Sequence, residues 1–167
     1  MNFDLNNLVR DNVKSLLPYS SARDEYKTDG EAMIFLDANE NPFENGLNRY
    51  PDPKAQGVRG PLRLFMNIPV ELEMLFGNGS DEIIALLITN LIGSGRSVCA
   101  PDPSFVMFQV LANQYSVPFR ALPLDASLDI DLAGWMDGLV EADPALIFIP
   151  QPNNPTGNLF SKDRLTE

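Results

Sequence analysis

The apolar run Ala145-Leu146-Ile147-Phe148-Ile149-Pro150 and the loop Pro152-Asn153-Asn154-Pro155-Thr156-Gly157 behind it constrain this chain more than any other stretch. The run has the length and composition of a short buried strand. Prolines and a closing glycine then turn the chain out of it as a polar loop. In an open α/β sheet, ligands sit at the carboxyl ends of strands. A loop rich in amide side chains at such a place is a candidate binding element before anything else is known.

The rest of the chain supplies the sheet. Glu71 to Phe76 reads as a strand entering Gly77-Asn78-Gly79-Ser80-Asp81-Glu82, and Ile83 to Leu91 as an apolar helix stopped by Gly93 and Gly95. Ser97 to Ala100 is a predicted strand, Ser104 to Gln114 a helix, and Ser116 to Leu122 a strand whose Pro118 favours an edge or a strand start. Asp131 to Val140 is an amphipathic helix carrying Trp135, and Ala145 to Pro150 is the last strand. Alternation of this kind predicts about four mainly parallel strands with helices on both faces, an α/β fold. Residues 1–50 read as an arm with one short strand at Ala32 to Leu36, and 51–167 as a domain. Val9, Val13, Leu16 and Leu17 recur at helical spacing until Pro18. Between Lys54 and Asn67, Gly57, Gly60 and Pro61 interrupt a helical pattern, so a helix there should start near Pro61 or kink.

Composition narrows the chemistry. A net charge of −11, from 12 basic and 23 acidic residues, disfavours nucleic acid and anionic membranes as partners. With no histidine, Ser-His-Asp and Cys-His hydrolases and histidine zinc sites are excluded; no metal is expected. No segment is apolar enough to span a bilayer, and Met1-Asn2-Phe3-Asp4 lacks the features of a signal peptide. The single cysteine, Cys99, sits in an apolar strand and reads as an inert buried thiol, which suits a cytoplasmic protein.

Three loops carry candidate chemistry. The glycines of Gly77 to Glu82 permit close backbone approach, and the helix that follows offers free N–H groups to an anion. Gly79, Ser80 and Asp81 would form a phosphate cup; the same residues also read as a tight turn with Ser80 capping the helix. In Pro101-Asp102-Pro103-Ser104-Phe105, Ser104 can cap a helix, and Phe105 either stacks on a flat heteroaromatic ring or packs with Met107 and Phe108. Asn154, fixed by Pro155, either bonds a phenolate-like oxygen or makes an ordinary turn. All three loops follow predicted strands, and cup, stacking face and polar anchor together describe a phosphorylated aromatic cofactor.

These residues resemble the fold-type I, pyridoxal-phosphate-dependent aminotransferases of classes I and II. The matching stretches are Leu36 to Pro42, Asn48-Arg49-Tyr50-Pro51-Asp52, Gly77 to Glu82, Pro103-Ser104-Phe105 and Pro152 to Gly157, in the family's order. Asn39-Glu40-Asn41-Pro42 and Asn48-Arg49-Tyr50-Pro51 draw the match toward the histidinol-phosphate aminotransferase branch. The resemblance implies a three-layer α/β/α large domain with a mainly parallel sheet, incomplete at its C-terminal side, and pyridoxal phosphate as cofactor. It implies that the amides of Ser80 and Asp81, beside Gly79, hold the cofactor phosphate. It further implies that Phe105 stacks on the pyridine ring and that Asn154 bonds its 3-oxygen. Tyr50 would reach the phosphate of the neighbouring subunit in a homodimer, and Tyr19 and Asn39 would lie near the substrate.

The family also uses a lysine that binds the cofactor covalently. The lysines here are Lys14, Lys27, Lys54 and Lys162, and none follows the strands that carry the family's lysine. The expectation is the N-terminal part of an enzyme that moves an amino group between L-histidinol phosphate and 2-oxoglutarate in histidine biosynthesis, inactive by itself. A threonine-phosphate decarboxylase, an aromatic aminotransferase and a non-catalytic phosphate-binding remnant are the alternatives.

Overall fold

The computed structural model describes residues 4–20, 34–93 and 95–166. By internal contacts the chain divides into two compact units, Met1–Leu16 with Gly77–Glu167, and Leu17–Phe76.

The first unit is built on a parallel sheet. Its strands are β1 (Ser97–Asp102), β2 (Phe119–Pro123) and β3 (Pro144–Ile147), in the order β2-β1-β3 among the described residues. β1 pairs with β2 through Val98–Phe119 to Asp102–Pro123, and with β3 through Val98–Leu146 and Cys99–Ile147. β2 is an edge strand and starts just after Pro118, as the missing N–H of proline requires.

The helices are α1 (Asp11–Lys14), α2 (Gln56–Phe65), α3 (Gly79–Leu91), α4 (Met107–Gln114), α5 (Leu132–Ala142) and α6 (Lys162–Thr166). Residue alternation along β1 explains the layering. Val98 and Ala100 are buried on one face with Ile84, Ile88 and Ile92 of α3 and Phe108, Leu111 and Ala112 of α4. Cys99 is buried on the other with Leu122, Ile130, Trp135 of α5 and Phe160. Burial pushes the Cys99 thiol pKa up, in keeping with an inert thiol.

The strand expected over Ala145 to Pro150 ends at Ile147. Phe148 N–H still bonds the Cys99 carbonyl at 2.9 Å. The next rung of a parallel ladder would need an N–H from Pro101, which has none. The strand expected over Glu71 to Phe76 does not form among the described residues. That segment instead folds back on α2. Arg63 donates to the carbonyls of Pro69 and, at 2.7 Å, Leu72, while Arg59 pairs with Glu73 at 3.2 Å and lies 5.5 Å from the Phe76 ring centre. The short strand expected at Ala32 to Leu36 is likewise absent over residues 34–36; Ala32 and Met33 lie outside the described residues.

α2 starts at Gln56, ahead of the start expected near Pro61, and continues through that proline. The residues a proline crowds, one turn back and immediately before, are here Gly57 and Gly60, which carry no Cβ, and the space where one would stand is open at both. Its start is set by Asp52, whose carboxylate accepts from Lys54 N–H at 2.8 Å and Gln56 N–H at 2.6 Å. Near the N-terminus, the predicted periodicity resolves into a 3-10 turn at Leu5–Asn7 and the one-turn α1. Arg10 caps the far end of α3, its backbone N–H on the Asn90 carbonyl at 3.0 Å and its guanidinium on the Thr89 carbonyl at 2.9 Å.

A charged cluster pins the segment after β3 to the turn after β2. Arg164 donates to Asp125 at 2.5 Å and to the Ile130 carbonyl at 2.6 Å, and Ser161 donates to Asp129 at 2.5 Å. The Arg164 guanidinium, then Ser127 and the Asp129 backbone, hold the Asp125 carboxyl well below the usual carboxylate range. A depressed carboxylate stabilises the fold fully above its unfolded pKa, about 3.9, and loses that contribution as pH falls toward the folded value. Arg164→Ala should therefore lower the melting temperature at pH 6, and the gap to the unchanged protein should shrink below about pH 4. A gap that is the same at both pH values would refute the linkage.

Candidate cofactor site

The loop into α3 is shaped by glycine. Gly79 has φ +81°, with open space where a Cβ would stand. Asn78 N–H donates to the Glu82 carboxylate, and Gly79 N–H to the Gly77 carbonyl at 3.0 Å. Ser80 stands one residue inside the helix, and the side chain of the N-cap residue, Asn78, makes no cap bond. The reading of Ser80 as the N-cap is thus corrected: the helix starts at Gly79 with Asn78 as its N-cap, two residues sooner than a Ser80 cap would give. Ser80 and Asp81 are exposed, and the first-turn amides of a helix have no partner inside it. Such amides can bind an anion, with the positive end of the helix dipole behind them. Asp81 and Glu82 add negative charge to that turn.

α3 spans about 20 Å at ~1.5 Å per residue, and β1 about 20 Å at ~3.3 Å per residue. The connection Ile92 to Arg96 is short, and Ile84, Ile88 and Ile92 pack in one cluster with Val98 and Ala100. The start of α3 therefore lies toward the carboxyl end of β1.

The loop after β1 carries Phe105. It is half-buried against the core and meets Phe108 edge-on, ring centres 5.6 Å apart. Phe108 in turn stacks on Phe148 at 4.9 Å. This aromatic column fixes the Phe105 ring at the strand ends. Ser104 does not cap α4, which starts only at Met107 after Val106. Its hydroxyl donates instead to Asn153 Oδ1 at 2.9 Å, across from the loop after β3.

That second loop separates two adjacent asparagines. Asn153 is buried, 1% exposed, and Asn154 is exposed with no hydrogen bond among the described residues. Asn153 Nδ2 donates to the Pro103 carbonyl at 3.0 Å and to Thr156 Oγ1 at 2.7 Å. Gln151 and Phe160 close the loop base with bonds of 3.2 and 3.0 Å. The sheet order explains why the two loops meet: the chain leaves β1 for one neighbour and returns to the other side, and such a reversal opens a crevice at the carboxyl ends. Asn153 escaped the sequence reading because Ser104 and Pro103, its partners on the other loop, lie 49 and 50 residues away.

The second unit holds Tyr19, Asn39 and Tyr50. Tyr19 is 91% exposed and Tyr50 64%. Asn39 and Tyr50 line one cleft of about 210 Å³ with Glu40, Asn48 and Arg49. Glu40, whose side chain is 5% exposed, organises that loop: it accepts Tyr50 N–H at 2.9 Å and the Arg49 guanidinium at 3.0 Å. Arg49 also pairs with Glu44 at 2.9 Å, which holds the Glu44 carboxyl below its usual range. Glu40→Ala should free this loop, and cleavage by trypsin after Arg49 should speed up roughly tenfold for a lost charge-assisted bond. An unchanged cleavage rate would show that Glu40 is not the organiser.

No helix among the described residues is long and apolar enough to cross a membrane.

The family model described as aminotransferase class I and II matches residues 25–167. Among curated relatives, a histidinol-phosphate aminotransferase of Flavobacterium johnsoniae is 42% identical over 174 residues, covering 99% of this chain and 47% of its own length. One of Cytophaga hutchinsonii is 43% identical, covering 99% and 48%. The chain spans about half the length of the curated relatives it matches. Among solved structures, a histidinol-phosphate aminotransferase from Clostridium acetobutylicum superposes with a TM-score of 0.59 at 24% identity, over 71% of this chain and 33% of that one. At that identity the likeness concerns the fold, and it matches the α/β architecture described above.

Proposed function

The chain belongs to the class I and II aminotransferases, and on that premise we propose that the complete protein is a pyridoxal-phosphate-dependent histidinol-phosphate aminotransferase. It would move an amino group between L-histidinol phosphate and 2-oxoglutarate. The reading includes a cytoplasmic homodimer, with residues 1–50 as an arm and 51–167 as the N-terminal part of the cofactor-binding domain.

The observation that carries the chemistry is the set of donors at the carboxyl side of the sheet. A helix start with Ser80 and Asp81 exposed in its first turn, a ring fixed by an aromatic column and an exposed amide suit a phosphate, a flat ring and a ring oxygen in turn. These groups fit pyridoxal phosphate. Likeness along nearly the whole chain to relatives of that name supports the substrate.

In this proposal the amides of Ser80 and Asp81, with the Ser80 hydroxyl, bind the phosphate; Gly79 lets the ligand approach the backbone. Phe105 stacks on the ring and excludes water from one face. Asn154 donates its amide N–H to the ring's 3-oxygen and holds negative charge there. Tyr50 donates its hydroxyl to the phosphate bound in the neighbouring subunit, and Tyr19 and Asn39 meet the substrate. The cofactor, when bound, supplies the electron sink for chemistry at the amino-bearing carbon. Lys14 lies in α1, Lys54 precedes α2, Lys162 lies in α6, and Lys27 is outside the described residues. The proposal assigns the covalent lysine to the part of the relatives' length that this chain does not span.

The test is an assay of the complete protein with pyridoxal phosphate, 2-oxoglutarate and a panel of donors. Glutamate should form fastest from L-histidinol phosphate. Carbon dioxide release from threonine phosphate, or a higher kcat/KM for an aromatic amino acid, would overturn the substrate assignment.

A further inference from the structure

We propose that Asn153 is a positioning residue that sets the separation between Phe105 and Asn154, and with it the fit of a planar ring ligand. The inference rests on the cofactor-site reading above and deepens it.

Pro152, Asn154 and Pro155 are exposed, yet Asn153 between them is 1% exposed. Its side chain is used on both ends. Oδ1 accepts the Ser104 hydroxyl at 2.9 Å; Nδ2 gives one hydrogen to the Pro103 carbonyl at 3.0 Å and one to Thr156 Oγ1 at 2.7 Å. Its backbone closes the loop on itself, N–H to the Asn158 carbonyl at 2.9 Å and carbonyl from Gly157 N–H at 2.7 Å. Both donors of the amide are therefore spent, as its burial demands.

The placement of these bonds gives them a role beyond stability. Pro103 and Ser104 lie 50 and 49 residues away, on the loop after β1. Phe105 follows Ser104 directly, and Asn154 follows Asn153 directly. One buried amide thus holds together the immediate neighbours of the stacking ring and of the polar anchor. Asparagine is the residue this needs. Aspartate keeps the acceptor toward Ser104 but meets the Pro103 carbonyl with a second acceptor, and alanine leaves the Ser104 hydroxyl and the Pro103 carbonyl without this partner. Loosening the tie widens the space for the ring, while the amides of Ser80 and Asp81 belong to α3 and keep their geometry.

The experiment uses the complete protein and the variants Asn153→Asp, Ser104→Ala and Ser104→Thr. Asn153→Asp and Ser104→Ala should bind pyridoxal phosphate roughly tenfold more weakly, the scale of one buried hydrogen bond. Inorganic phosphate, measured as a competitor, should bind as before. Ser104→Thr, which keeps the hydroxyl, should restore the affinity. The pH midpoint of the bound cofactor's absorbance should move in the first two variants and not in the third, because Asn154 faces the ring oxygen. Equal loss for phosphate and for pyridoxal phosphate would reduce Asn153 to a structural residue and overturn the inference. Amide hydrogen exchange reads the coupling without any ligand: Ser104→Ala should speed exchange around Phe105 and around Asn154 together. Faster exchange on the mutated loop alone would refute the tie. Failure of the unchanged protein to bind pyridoxal phosphate would refute the cofactor site instead, and exchange would then decide the coupling by itself.

Discussion

Trp135→Ala is expected to lower stability by about 3–5 kcal/mol, the usual range for removing a buried tryptophan. Trp135 is 5% exposed and shares its cluster with Cys99, Leu122, Ile130 and Phe160. Its indole N–H donates to the Pro123 carbonyl at 2.8 Å, so the substitution also leaves that carbonyl without this partner. The helix cannot slide in to fill the gap: one turn on, a Cβ at Gly138 would already stand 2.9 Å from Leu122 Cδ2. Against a total stability of roughly 5–15 kcal/mol, this is about a fifth or more of what holds the fold. In urea, followed by circular dichroism because the chain's one tryptophan is gone, the midpoint should fall with an unchanged slope. A loss under about 1 kcal/mol would mean that α5 is not a load-carrying layer on that face of the sheet.

The second large effect concerns Asn154. In the complete protein, Asn154→Ala should reduce kcat/KM for amino transfer roughly 10- to 100-fold, the range for losing a hydrogen bond to a charged oxygen. The loss should fall mainly on kcat, because the charge on the ring oxygen changes during the reaction, whereas phosphate binding at α3 does not depend on Asn154. A rise in KM alone, with kcat unchanged, would make Asn154 a turn residue.

Much of the first unit was legible in the sequence, for identifiable reasons. The strand at Ser97 and the helices around Ile88 and Trp135 each had an uninterrupted pattern and a clear stop, and each forms; the strand expected from Ser116 forms only past Pro118, at the edge. The loops after Asp102 and Ile147 follow strands as expected, whereas Gly77 to Glu82 precedes its helix without the strand expected before it. What was hidden depends on partners distant in sequence. The end of β3 is set by Pro101 in another strand, which no local reading of Ala145 to Pro150 could show. Glu71 to Phe76 has strand-like composition, but Arg59 and Arg63 of α2 take up its partners first. Ser104 looked like a cap and is a link to Asn153. Pro61 looked like a breaker and is accommodated by the two glycines it faces. In the second unit, the resemblance gives Tyr50 a role, while Glu40, which holds the loop, stands within Asn39-Glu40-Asn41-Pro42 without one.

The central claim is that one phosphorylated ring ligand is held by α3, Phe105 and Asn154 at the carboxyl side of the sheet. A crystal structure of the complete protein grown with pyridoxal phosphate tests it most directly. The phosphate oxygens should lie about 2.7–3.1 Å from the amides of Ser80 and Asp81. The ring should stack on Phe105, with its 3-oxygen on the Asn154 amide. A phosphate bound away from the start of α3, with Asn154 turned from the ring, would contradict the account.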